Sequence, residues 1–200
     1  MERFLILIDR LSASAGKAFG WCIIVLTLAV CYEVFVRYVL RAPTSWAYDM
    51  SYILYAALFM MAGAYTLSRN GHVRGDVIYR LMPVRVQAGI DLALYILFFM
   101  PGMAALLWYG IPYAKQSWGY QEVSVYSPAG VPVFPMKTLI PLAGLLMLIQ
   151  GAAEIVRCII ALKQGAWPRR LQDVEELESA IRHEQEDQAR IQAERSREGN

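Results

Sequence analysis

Glu33 and Arg37 stand one helical turn apart, Trp46 and Asp49 follow, and Arg69, His72, Arg74 and Asp76 form a second polar group further along the chain. Carboxylates, arginines and a histidine at such spacings can hold a metal ion, relay protons or pair with one another. The metal reading is short of ligands: His72 and Asp76 share a helical face at i,i+4, but two donors are too few, and the one other histidine is the distant His183. A structural hydrogen bond or a partner contact is the better use of that pair. Asp49 has a plain reading as an acid in the first turn of a helix capped by Thr44 or Ser45, where the helix dipole favours it. Glu33 and Arg37 serve either as an interfacial ion pair with Arg37 reaching lipid phosphate, or as a contact to a partner subunit.

Two further carboxylates complete the candidates. Glu122 lies in a segment rich in proline and aromatics, between Pro112 and Lys137, which suits either a membrane-interface belt or a partner surface. Glu154 follows Gly151 with Arg157 close behind, a spacing that suits helix packing and an ion pair near a membrane border. Familiar catalytic patterns are missing: there is no P-loop, no Gly-x-Ser-x-Gly elbow and no His-Glu-x-x-His. Cys22, Cys31 and Cys158 form no Cys-x-x-Cys pair, and the histidines fall outside the apolar runs, where a bundle haem needs its axial ligands.

The elements that carry these residues are apolar runs. The chain is 57% hydrophobic, and the apolar residues gather into four runs at about 18–40, 47–67, 88–111 and 133–162, each long enough for a hydrocarbon core of roughly 30 Å. Strands are excluded because an open sheet leaves its edges unpaired in lipid and the alternation of a barrel is absent. The expected fold is therefore an all-α integral membrane protein with four transmembrane helices. Ahead of them, Phe4, Ile8, Leu11 and Ala15 recur at helical spacing among charges, which predicts a short interfacial helix over 1–17. The first run is longer than a signal-peptide core and no clear cleavage site follows, so it reads as an uncleaved anchor.

Charge sets orientation. Arg3, Arg10, Lys17, Arg69, Arg74, Arg80, Arg85, Lys163, Arg169 and Arg170 flank one side, against Arg37, Arg41, Lys115 and Lys137 on the other. The positive-inside rule then makes both termini cytoplasmic. Through residue 168 the chain has 13 basic and 8 acidic residues, a net of +5, whereas residues 169–200 have 6 and 9, a net of −3. The membrane domain thus spans 18–167, and 168–200 form a charged, helix-prone cytoplasmic tail; nothing in this pattern calls for nucleic acid.

Small residues repeat at seven-residue intervals, Ala56 with Gly63 and Gly144 with Gly151, as helix-packing seams do. Pro101 and Gly102 predict a kink or loosening in the third span. The spans hold too little polar chemistry at mid-depth for a self-sufficient ion-coupled carrier. The chain reads as an accessory subunit.

Arg37-Tyr38, Trp46, Asp49, Arg69, His72-Val73-Arg74 and Asp76, in that order around the second span, resemble the DctQ-like small membrane subunit of tripartite ATP-independent periplasmic (TRAP) transporters. A second stretch is similar to a longer-looped branch of that family: Glu122-Val123-Ser124, Pro135-Met136-Lys137, Ile140-Pro141 and Gln150-Gly151-Ala152-Ala153-Glu154. The resemblance covers residues 4–162, with one departure: Asp49 stands where the family pattern has glutamate. It implies a bacterial inner-membrane protein, no enzyme, that scaffolds a large membrane subunit. That partner carries the transport and sodium sites, and a periplasmic solute-binding protein delivers the solute, an organic acid. It implies no cofactor in this chain, and interface or lipid-anchoring roles for the polar residues named above. The competing reading is a membrane adaptor that recruits a cytosolic protein through its acidic tail.

Overall fold

A polypeptide in hydrocarbon must satisfy its own backbone hydrogen bonds, and an apolar run does so by coiling into a helix. The computed structural model describes residues 2–69, 71, 79 and 81–168, and among these it is helical with no strand. The elements are α1 (Glu2–Gly20), α2 (Cys22–Tyr38), α3 (Ala47–Ser68), α4 (Val84–Leu94), a π-helical turn (Tyr95–Phe99), α5 (Met100–Tyr120) and α6 (Phe134–Gln164). They make four segments long and apolar enough to cross a membrane: Phe4–Tyr38, Ala47–Ser68, Val84–Tyr120 and Phe134–Gln164. His72 and Asp76, and the tail from residue 169, lie outside the described residues.

α3 and α6 form the centre of the bundle, and α3 links its two sides. α3 packs along α1 and α2 on one side and on α6 on the other, while α6 also lies against α4, α5 and α1. The core is small: Met61 and Ala64 of α3 meet Ala143 and Leu146 of α6, flanked by Ala15, Phe19, Met60, Leu139 and Met147. Large apolar side chains instead line the outside, among them Leu28 and Phe35 on α2, Phe59 on α3, and Trp108 and Tyr109 on α5. Meanwhile Asp9, Asp49, Gln150, Glu154 and Arg157 are buried. A soluble protein with this distribution would aggregate; in lipid the outer apolar surface is solvated by acyl chains or by another apolar protein.

α1 shows the inversion within one helix. Leu5, Asp9, Ser12 and Ala13 face the bundle, whereas Phe4, Leu7 and Leu11 are exposed. The helix continues to Gly20, past the expected limit at residue 17, and a turn at Trp21 separates it from α2, so the run expected at 18–40 is divided. At Gly16 an added Cβ would collide with the Cβ of Tyr65, which is how closely α1 approaches α3.

The expected loosening in the third span lies one turn ahead of Pro101. Pro101 has no N–H to give to the carbonyl of the preceding turn. The widened turn Tyr95–Phe99 absorbs this, with the Met100 N–H reaching the Tyr95 carbonyl. Pro112, expected to open the outer loop, instead sits inside α5, which runs on to Tyr120. A single missing hydrogen bond costs less than unwinding two further turns. The loop is thereby reduced to 121–133, closed by an isolated antiparallel bridge between Val123 and Pro132.

Candidate functional site

Two polar networks occupy opposite ends of the bundle. At the end where α3 begins, Glu33 is buried on α2 and its Oε1 accepts Arg37 Nε at 2.8 Å and Nη2 at 2.6 Å. Its Oε2 accepts the Thr44 N–H at 3.1 Å and the Thr44 hydroxyl. Thr44 is thus committed to Glu33 and does not cap α3. The cap position falls to Trp46, which makes no side-chain cap bond but stacks on Tyr32 at 6.2 Å. The proposed Thr44 or Ser45 cap is corrected accordingly: the hydroxyl answers a carboxylate across the turn in preference to a backbone N–H.

Asp49, fully buried, is held by residues from the far loop. Ser124 Oγ donates to its Oδ1 at 2.7 Å, and the Ser127 hydroxyl donates to Oδ2. Ser124 Oγ also receives the Tyr126 N–H at 3.2 Å and lies 3.4 Å from the Tyr52 hydroxyl, beneath three mutually edge-on rings, Tyr48, Tyr52 and Tyr126. Its role is therefore to staple the 121–133 loop onto α3, beyond any dipole effect. Glu122 fastens the same loop from its other side. It accepts Ser117 Oγ at 2.7 Å from the end of α5 and Lys137 Nζ at 2.6 Å from the start of α6. The hydrogen bond and charge of Lys137, with the Ser117 hydroxyl, hold the Glu122 carboxyl below its ordinary value. Lys137 also sits 4.3 Å from the Tyr113 ring centroid.

The second network lies between α1 and α6. Arg157 is entirely buried, donating from Nη2 to Asp9 Oδ2 at 2.5 Å and from Nη1 to Glu154. Gln150 Nε2 donates to Asp9 Oδ1 at 2.9 Å, and Ser12 Oγ donates to Gln150 Oε1 at 2.8 Å. Sequence reasoning paired Glu154 with Arg157 and missed Asp9, Ser12 and Gln150. A signal was present: Gln150, Glu154 and Arg157 repeat at i, i+4, i+7, a polar stripe on an apolar helix that demands a polar face opposite.

The remaining candidates are packing positions. Arg69 ends α3, its N–H bonded to Tyr65 O at 3.1 Å and its guanidinium 5.6 Å from the Tyr65 ring. Gly63 faces Met147, Gly144 faces the backbone of Leu107, and Gly151 receives the Phe99 ring, whose Cε1 would lie 2.5 Å from an added Cβ; Ala56 is half-buried on α3. These glycines join helices of this chain to one another.

A groove of about 660 Å³ between α3, α5 and α6 is lined by Phe59, Met60, Gly63, Met103, Leu106, Met147 and similar residues. It offers no charged group to a solute. No cluster of three or more histidine, cysteine, aspartate or glutamate side chains with metal-binding geometry occurs among the described residues.

No curated protein matches the chain. The family model described as "Tripartite ATP-independent periplasmic transporters, DctQ component" matches residues 26–161, from within α2 to near the end of α6. It therefore covers the network at the start of α3, with Gln150, Glu154 and Arg157, and leaves Asp9 outside. The chain belongs to the DctQ family: it is the small membrane component of a TRAP transporter, an inner-membrane protein.

Proposed function

We propose that this chain is a static brace for the large membrane subunit, enlarging the body against which that subunit's transport elements move. One observation carries the reading: Asp9, Glu33, Asp49, Glu154 and Arg157 direct their charged groups to other residues of the same chain, while broad apolar faces on α2 and α5 stay uncovered. Buried charges consumed in this way hold helices in register; they are not displayed to a passing solute. The uncovered faces are suited to lipid on one side and to an apolar partner on another.

The same reading assigns the finer roles. Solute, an organic acid, arrives on a periplasmic binding protein; sodium coupling resides in the large subunit; this chain carries no cofactor and catalyses no reaction. Both termini are cytoplasmic, in keeping with ten flanking basic residues on that side against four on the other. α1 lies at the cytoplasmic border with Phe4, Leu7 and Leu11 turned to the lipid.

Photo-crosslinking amino acids at Leu28, Phe35, Phe59 and Trp108 test the brace. In membranes containing all three components, one face should crosslink to the large subunit and the opposite face to lipid alone. Lipid adducts at all four positions would reject the reading. In liposomes the chain by itself should move no solute; transport by it alone would make it a carrier.

A further inference from the structure

α1 presents three sectors. Its inward stripe, Leu5, Asp9, Ser12 and Ala13, lies on the bundle, and Phe4, Leu7 and Leu11 form an exposed apolar stripe. Between the two runs a basic line. Arg10 and Lys17, both exposed, stand seven residues apart, which at about 100° per residue sets them within about 20° of one another and about 10 Å apart along the axis. Exposed Ser14 lies between them, exposed Trp21 follows one turn after Lys17, and Arg3 holds the same register in the sequence. The dipole of α1 accounts for a lysine in its last turn, but not for an arginine at mid-helix.

The helix lies at one end of the bundle. Its Gly16 abuts Tyr65, three residues from the end of α3, and its Asp9 reaches Arg157, seven residues from the end of α6. At a lipid–water border such a helix sinks its apolar stripe and holds its cations at headgroup depth. Asp9, next to Arg10 in sequence, is committed to Arg157 and Gln150, so it does not neutralise the basic line. Asp91 and Glu154 at the same end are buried as well, while Arg85 and Lys163 are exposed. Acids here face in, and bases face out. Among the described residues Arg10 and Lys17 make no ion pair or side-chain hydrogen bond, whereas Arg37, Lys137 and Arg157 each hold a carboxylate.

We propose that this line is a binding site for anionic phospholipid: phosphates of phosphatidylglycerol-type headgroups occupy Arg10 and Lys17, and their acyl chains lie along Phe4, Leu7 and Leu11. A zwitterionic lipid brings its own cation to the site, so the two bases select by charge. The tail over residues 169–200, net −3, matches the charge, but an acidic segment at the basic line leaves the neighbouring apolar stripe uncovered. A lipid covers both. The inference goes beyond the brace and needs only α1 at a lipid–water border, on whichever side of the membrane that is.

The test captures the lipid in place. The full-length chain, purified with its large subunit, is set in nanodiscs of equimolar phosphatidylglycerol and phosphatidylcholine, with p-benzoylphenylalanine replacing Ser14 or, as a reference, exposed Leu28 on α2. After illumination, lipid adducts are counted by mass spectrometry. The ratio of phosphatidylglycerol to phosphatidylcholine should be at least threefold higher at the Ser14 probe than at the Leu28 probe. Arg10→Gln with Lys17→Gln should abolish that excess, Arg10→Lys should keep it, and removal of residues 171–200 should leave it unchanged. Equal ratios at the two probes overturn the proposal, as do an excess that survives the double change and adducts at Ser14 to the large subunit alone. An excess seen only after the tail is removed makes the tail the occupant and overturns it too. If the double variant does not assemble, Arg10→Gln alone decides: a reduced excess supports the site and an unchanged one overturns it. Loss of the large subunit from the preparation speaks against the brace and leaves the lipid ratio readable.

Discussion

Asp9 and Arg157 are 148 residues apart in sequence and meet at 2.5 Å, with both side chains sealed from the surface. Their pairing ties the first helix to the last. A buried guanidinium with two carboxylates and an amide around it is expensive to leave half-made. Replacing Arg157 with alanine should cost about 3–5 kcal/mol because it strands two acids in the interior. Converting the trio together, Asp9→Leu, Glu154→Leu and Arg157→Met, should cost far less than the single change. Thermal unfolding in detergent checks the order; a triple variant less stable than Arg157→Ala would contradict it.

Gly16 should tolerate no side chain. Its Cβ would meet the Tyr65 Cβ, an atom fixed to the α3 backbone. Gly16→Ala should therefore destabilise by about 1–3 kcal/mol, the usual range for overpacking. By contrast Gly20→Ala, with open space around it, should be neutral or slightly stabilising because alanine favours helix. Equal melting temperatures for the two would refute the close approach.

Asp49 and the 121–133 loop should loosen together. Asp49→Ala removes the acceptor for Ser124 and Ser127, a loss of about 1–3 kcal/mol for buried polar groups left unsatisfied. Hydrogen exchange should rise across residues 121–133, including the Ser124 N–H bonded to Val131 O at 2.8 Å, and leave α6 beyond residue 143 protected. Exchange that rises evenly along the chain would mean that Asp49 acts on the whole bundle and not on the loop.

Acid should release the same loop through Glu122. Its carboxyl is held below 4.5 by the Lys137 ammonium and the Ser117 hydroxyl. A depressed folded value means that the unfolded chain binds the proton more readily. The contribution is therefore complete above 4.5 and disappears as pH falls through the lower folded value. The stability difference between the protein and Glu122→Gln should be flat near neutrality and shrink on acidification below that range. A difference that grows on acidification would reverse the assigned sign.

Much of this architecture was readable beforehand, for reasons that differ by residue. Four apolar runs announce four spans because hydrocarbon allows little else, and Glu33–Arg37 and Glu154–Arg157 are neighbours on their own helices. Asp9 was not readable as the partner of Arg157, since nothing local separates an interfacial charge from one that reaches across the bundle. Thr44 resembled a cap because capping and carboxylate binding require the same hydroxyl. Pro112 resembled a helix end because soluble helices break there, whereas in lipid the surrounding turns persist. Ser127 carried no visible signal beyond lying in a loop, and Ser124 only its place in the Glu122-Val123-Ser124 stretch.

The π-helical turn at Tyr95–Phe99 acts as a phase corrector. Ala88 and Asp91 before it and Gly110, Ala114 and Ser117 after it all face inward, along helices that both lie against α6. Asp91 and Gly110 are 19 positions apart, and at about 100° per residue an unbroken α-helix would set them roughly 100° out of alignment. One extra residue taken up in the wide turn removes about that angle. Deleting a single residue from Tyr95–Phe99 would regularise the helix and leave Gly110 against Pro141, because the 18 remaining steps at about 100° close five whole turns. The irregular turn is what allows two halves of one long helix to keep a common side.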